Sequence, residues 1–484
     1  MQKIFIVIAF LSAINSLAQS RTKLKITETP IYSDNIKSDS LNAIYSSQSN
    51  RSVVVRTSKN AIILDLFNSE LKITDTKSIN LEKKEFYLGD LFFNDQLRIF
   101  TQVNPKRDLK ILNCYVLNLR NDTIKKIVLS ETEVDKGLSL MSNERASFFT
   151  ISPDESAFAI VNATVYRSNL HYHVSVFNLS DSQIIYDKQV SVSENNFVDL
   201  IQADINNNKS VYILRKSYFN NDSPKLKEEE NSHLLLDKIA EDDISLIKVT
   251  VEEKHLKAGK GSLIDQTYRV IGFYSNSGED VFNGVFECKI DLSNFVILNS
   301  RIDPFPQSVY ADIFGNKRSN KKTGEDLLNY RVRSLLTDDD ENLYLIAEEY
   351  INLREGYNKR EIFGDLLIVK FDSQSNFLWV RNILRHDVKP AFNSFVKNNK
   401  LHILLNSGKD LGSFRDGRPF VKRKAFQSTS LYDIEFENDG VFSVLKIQDN
   451  KNKSYYKPNF GVFINDRFIM LSTSENERRF MVLE

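Results

Sequence analysis

One short pattern recurs along this 484-residue chain: a strand ending in an apolar–polar–apolar triple. It occurs as Leu64-Asp65-Leu66, Leu117-Asn118-Leu119, Phe177-Asn178-Leu179, Ile247-Lys248-Val249, Ile290-Asp291-Leu292, Val369-Lys370-Phe371 and Ile434-Glu435-Phe436, with Met481-Val482-Leu483 as an eighth. Recurrence of one supersecondary unit marks solenoids, propellers and arrays, because each unit buries its faces only against its neighbours. Here the unit is all strand, which predicts an all-β fold, a β-propeller.

A second strand precedes each triple, at 52–56, 97–101, 158–162, 211–215, 268–272, 343–347, 401–405 and 468–472. Several of these are apolar on both faces, as a strand covered by neighbours on both sides must be. A third run lies upstream of most, closed by Asn- and Asp-rich turns such as Asn398-Asn399 and Asn465-Asp466, residue types that tolerate φ > 0. A fourth follows each triple after another polar turn. The unit is therefore a four-stranded antiparallel meander, strands A to D, and about eight units are expected. Seven is the alternative, since the fifth unit has a weak strand A around Leu263-Ile264. The last unit lacks a strand D. The lone strand at 22–27 is expected to supply it, closing the ring and removing two open sheet edges.

Two segments carry a family resemblance. Ser152-Pro153-Asp154 followed by Phe158-Ala159 resembles the S-P-D-G-x-x-[IL]-A turn of TolB-type, WD40-like propeller repeats, with Glu155 in place of the glycine. Phe371-Asp372 with Asn376-Phe377-Leu378-Trp379 resembles the D-x-x-G-N-x-L-W strand pair of bacterial β-propeller repeat proteins, with Ser375 in place of the glycine. Each covers about one blade, and each implies fold and not activity. Trp379 is expected to pack between blades.

Residues 1–18 read as a secretory signal peptide: Lys3, an apolar stretch over 4–14 and the small residues Ser16 and Ala18 before the cleavage point. Residues 19–484 are expected to form one propeller domain. No later segment is apolar enough to span a bilayer. Lys plus Arg number 64 and Asp plus Glu 64, a balance that gives no support for nucleic-acid binding. Cys114 and Cys288 fall on opposite strand faces in non-neighbouring units, so two buried free thiols are expected rather than a disulfide.

The extra length of the chain lies at 216–241, 303–329, 351–363 and 407–428, with a short helix expected at 225–240. All four connect B to C or D to the next A, and in a meander those connections leave from one rim. Long loops on a rigid scaffold are where recognition concentrates. Within them Arg354, Tyr357, Arg360, Arg415, Arg418, Phe420 and Arg423 combine arginine with aromatic side chains, the composition of binding hot spots. The expected function is a non-enzymatic protein–protein interaction module of a bacterial cell envelope, located in the periplasm or on the outer surface. The alternative is a glycan-binding or glycan-processing propeller using its central channel.

No catalytic residue, cofactor or metal is expected. His171 and His173 share a strand face without an evident third ligand. Asp204, Asn206 and Asn208 begin like a calcium loop, but Lys209 and Arg215 occupy its glycine and glutamate positions, so a hairpin turn is the better reading. Residues 338–341 form an acidic turn. No nucleophile-elbow, zincin, P-loop or paired-cysteine motif occurs.

Overall fold

The computed structural model describes residues 24–484 except 34–35, 37, 39, 107–108, 134–145, 167–168, 193–196, 219–231, 277–280, 316–326, 328, 356–357, 386–391, 409, 414–418, 422–428, 451–454 and 473–476. Eight four-stranded antiparallel sheets follow one another in chain order. Blades 1 to 7 occupy 40–80, 85–133, 146–192, 197–248, 255–304, 330–383 and 392–449. Blade 8 takes its strands A to C from Val462–Ile464, Arg467–Leu471 and Phe480–Leu483, and its strand D from Ile26–Glu28. The expected eight-bladed ring and its closure by the first strand are both present. Lys25 and Glu484 exchange backbone bonds of 2.8 and 3.0 Å, and Thr29 N–H donates to the Phe480 carbonyl at 3.0 Å.

The sequence pattern makes a ring because no blade has a core of its own. The buried apolar residues fall into eight clusters, one between each pair of neighbouring blades, the last joining blades 8 and 1 through Ile469, Leu471 and Phe480 against Ile44, Val54 and Phe67. Strand B of blade 6, Leu343–Glu355, illustrates the rule. Leu343, Leu345 and Ala347 face blade 5, while Tyr344 and Ile346 face blade 7. Alternation of side chains on a strand covered on both faces requires this doubly apolar run. Strands A of adjacent blades approach one another round the ring and so form the wall of the channel. Cys114 lies in the layer between blades 2 and 3 and Cys288 in that between 4 and 5, both buried free thiols. Burial pushes both thiols up to about 12.

Both positions that replace a motif glycine adopt the left-handed conformation: Glu155 has φ 52° and Ser375 φ 68°. Side-chain bonds within the turns accompany that geometry, Asp154 accepting from the Ser152 and Ser156 hydroxyls and Asp372 from the Asn376 amide. Trp379 packs between blades as expected, stacked on Phe436 with ring centroids 5.7 Å apart and donating from Nε1 to the Asn438 carbonyl at 2.9 Å. The segment from Asn206 turns as a hairpin, with Asn206 N–H on the Ser210 carbonyl at 3.0 Å and Lys209 at φ 66°.

Four expectations are corrected. In blade 4, strand C is Ser232–Ile239 and not the stretch ending at Ile247-Lys248-Val249, which closes strand D, Ile244–Lys248. The leucine run expected in a helix is therefore a strand from Ser232 on. Leu234 and Leu236 fill the layer toward blade 5, and Ile239 the layer toward blade 3. In blade 5, strand A is not weak but runs ten residues, His255–Ile264. A helix, α1 (Gln307–Phe314), stands between blades 5 and 6 where only a loop was foreseen, burying Val309 and Tyr310 in that inter-blade layer. Among the described residues no helix is long and apolar enough to cross a membrane.

Candidate functional site

Three of the four insertions meet at blade 6; the fourth, 216–241, belongs to blade 4, and its 219–231 lies outside the described residues. Residues 351–363 are not a loop: strands B and C of that blade, Leu343–Glu355 and Asn358–Phe371, continue pairing as far as Glu355 and Asn358. Helix α1 packs on strand D of the same blade, Phe377–Ile383, with Arg381 Nη1 3.7 Å from Asp312 Oδ2. From blade 7, the short strands Gly412–Ser413 and Pro419–Phe420 pair with each other, and Phe420 bridges to Leu384 just past that strand D. One rim of the ring thus carries a helix, a long hairpin and a small second hairpin side by side.

Of the residues expected to bind, Phe420 is half-buried, its ring occupying the space a Cβ at Gly412 would need. It is partly packed into the rim. Arg354 and Arg360 lie on the two strands of the long hairpin, paired with Lys359 and Leu353 respectively. Tyr357, Arg415, Arg418 and Arg423 lie outside the described residues.

The base of the hairpin holds groups the sequence reading missed. The Arg331 guanidinium lies 3.7 Å from the centre of the Tyr350 ring, and the Tyr350 hydroxyl donates to Glu361 Oε1 at 2.7 Å. Fully buried Glu348 takes Arg333 at 2.6 Å and, on its other oxygen, Arg385. Asp365 Oδ1 accepts the Arg385 backbone N–H at 2.7 Å. Burial, with the like charge of Glu349 adding to it, pushes the Asp365 carboxyl up to about 7. The signal was available: Arg331 and Arg333 alternate along strand A, and Glu348-Glu349-Tyr350 ends the apolar run Leu343–Ala347 of strand B.

A second site lies in the channel wall, toward the ends where strands A turn into strands B. A pocket of about 360 Å³ opens between strands A of blades 3 to 6, lined by Gln202, Asp204, Lys260 and Ser262 among others. Its polar groups are placed by their neighbours. Tyr268 Oη and Gln202 Nε2 both donate to Asp204 Oδ2 at 2.7 Å. The Gln202 amide also clasps Gly261, accepting its N–H at 3.2 Å and donating to its carbonyl at 3.0 Å, so one side chain splices two neighbouring strands A. Gly261 has no Cβ because the Tyr268 hydroxyl occupies that place on its way to Asp204. Lys260 Nζ donates to the Arg333 carbonyl at 2.7 Å. Burial raises the Asp204 carboxyl and lowers the Lys260 ammonium from their ordinary values.

Other titratable groups are spent on structure. His173 Nε2 lies 2.7 Å from Asp187 Oδ2, and Asp338 caps its own turn by accepting the Asp340 and Asn342 N–H groups. Among the described residues no group of three or more His, Cys, Asp or Glu is placed to hold a metal ion.

The fold and these sites define the class of protein: an eight-bladed β-propeller with one elaborated rim. No family model matches the chain and no curated protein matches it. Among solved structures it is similar to the Dos1 propeller, at 7% identity and TM-score 0.44 over 94% of this chain and 95% of that one. It is also similar to the polysaccharide lyase Uly1, at 9% identity and TM-score 0.42 over 82% of this chain and 89% of that one. The propeller domain of the Trilobed protease from Pyrococcus furiosus aligns at 10% identity and TM-score 0.37 over 83% of this chain and 94% of that one.

Proposed function

We propose that this protein is a binding module that grips a protein partner of a bacterial cell envelope through the elaborated rim over blades 5 to 7. The observation that supports this reading is the convergence of helix α1, the long hairpin and the 412–420 hairpin on blade 6, three separate chain segments on one side of a rigid disc. Rigid scaffolds with clustered excursions present a recognition surface at low entropic cost. Arg331 stacked on Tyr350 gives that surface a preorganised arginine–aromatic element of the kind that dominates interface energies. The envelope location rests on the leader expected at 1–18.

In-cell cross-linking read by mass spectrometry tests the proposal. Lys359, Lys409, Lys422 and Lys424 should couple to one envelope protein, and those cross-links should vanish in Arg415→Ala/Arg418→Ala and when 353–360 is replaced by an Asn-Gly turn. Cross-links spread over both ends of the ring, or unchanged in both variants, overturn it.

A further inference from the structure

The channel pocket carries an inference separate from the rim. Polar groups in a pocket that serve only the fold are satisfied by one another, and here several are not. Both donors to Asp204 bond the same oxygen, Oδ2, and among the described residues none bonds Oδ1. Lys260 commits one of its three ammonium hydrogens to the Arg333 carbonyl. The Thr150 and Ser262 hydroxyls line the pocket with no protein partner among the described residues. The carboxylate and the ammonium each have their own anchors and form no ion pair with each other, although both line the same space. Two opposite charges held apart in a half-enclosed pocket are a costly arrangement unless something bridges them.

The rest of the lining narrows the class. Ile151, Pro153, Ile205, Leu263 and Leu335 supply aliphatic wall, and among the described residues no aromatic ring lines the pocket. Tyr268 is fully buried behind Asp204 and shows only its hydroxyl to that carboxylate. A sugar would find no ring to stack on. A small molecule with an ammonium at one end, a carboxylate at the other and a short aliphatic body would meet every unspent group.

We infer that the pocket between strands A of blades 3 to 6 binds a small zwitterion, a free amino acid or a short peptide, with Asp204 receiving its ammonium and Lys260 its carboxylate. Gln202 and Tyr268 are positioning residues that hold the Asp204 carboxylate.

Isothermal titration of the full chain with four probes tests this: L-alanine, L-alanyl-L-alanine, N-acetyl-L-alanine amide and trehalose. One or both zwitterions should bind saturably, and which of them does separates the amino acid from the peptide. The uncharged amide should bind at least about tenfold more weakly, the factor expected for losing a charge-assisted hydrogen bond. Asp204→Asn, which keeps an acceptor for Tyr268 and Gln202, should weaken the zwitterion by a similar factor and leave the amide unchanged. Lys260→Met should do the same from the carboxylate end. Circular dichroism melts of both variants establish that they are folded. Equal binding of amide and zwitterion, binding of trehalose in their place, or no binding by any probe overturns the inference. None of these outcomes bears on the rim, whose cross-links are read independently.

Discussion

Arg56 and Asp65 are each 1% exposed and meet through two bonds, at 2.8 and 3.0 Å, on adjacent strands of blade 1. The same device recurs as Arg215 with Asp237 in blade 4, Arg269 with Glu287 in blade 5 and His402 with Asp433 in blade 7. Each pair joins strands B and C inside a mostly apolar layer, where a few neighbouring hydroxyls also bond it. Such a pair adds little over a well-packed apolar substitute, but breaking it strands a buried charge. Asp65→Leu should cost about 3–5 kcal/mol in urea unfolding, and Arg56→Met added to it should restore most of that loss. If the double variant is as unstable as the single, the pair does more than neutralise itself. Asp365 behaves differently, because its folded value of about 7 lies above the ordinary 3.8. Between those values the folded chain binds the extra proton, so stability falls as pH rises through that window and stays low above it. Asp365→Asn keeps the acceptor for the Arg385 N–H and removes the ionisation. Its melting temperature should match the parent near pH 4 and exceed it at pH 8, by a difference of about 2–4 kcal/mol in stability. A parallel pH profile for the two proteins would rule that ionisation out.

At the scale of strands and turns, the sequence was legible where burial was doubled and illegible where it was absent. Strands B and seven of the eight strands C were readable because a run apolar on both faces and closed by a polar turn fits little except a strand covered on both sides. Blade 4 misled because Leu234, Leu235 and Leu236 in a row satisfy a helix period as well as a strand period, and because strand D happens to end in its own Ile247-Lys248-Val249. The Arg215–Asp237 pair held the correction, since it repeats the Arg56–Asp65 pairing of a strand B with a strand C. The long hairpin of blade 6 was hidden for the opposite reason. Beyond Tyr350 and Phe363, whose rings meet edge to face at 5.4 Å, the two strands pair only with each other, and their sequence shows no sustained apolar alternation. That is also why cutting it back to Asn352 and Glu361, which are paired partners, should change unfolding free energy by no more than about 0.5 kcal/mol. The channel pocket was illegible for a third reason. Asp204 and Lys260 are far apart in sequence, and only the ring brings their strands together.

At the scale of the molecule, stability is a closed chain of eight similar layers, and closure is its most exposed link. Blades 2 to 7 are joined to both neighbours by covalent connections as well as by packing. Blade 8 is completed by three residues, Ile26–Glu28, from the far end of the chain. Around them Glu28 accepts from Tyr456 at 2.9 Å and Arg479 at 3.0 Å, while Lys25 pairs with Glu484 at 3.1 Å. These polar contacts are partly exposed and individually weak, so the seam depends on the strand pairing beneath them. Opening it would bare the edge of Phe480–Leu483, a fully apolar strand of Phe, Met, Val and Leu. An unprotected apolar edge is a template for pairing with another chain. Thr27 pairs with Val482 in the middle of the seam, and Thr27→Pro removes its donor there without touching the eight inter-blade layers. The variant should unfold faster in urea, and light scattering should detect oligomers at concentrations where the parent is clear. An unfolding rate and scattering equal to the parent's would mean that the inter-blade layers alone hold the ring shut, and that the first strand is an ornament on a disc already closed by packing.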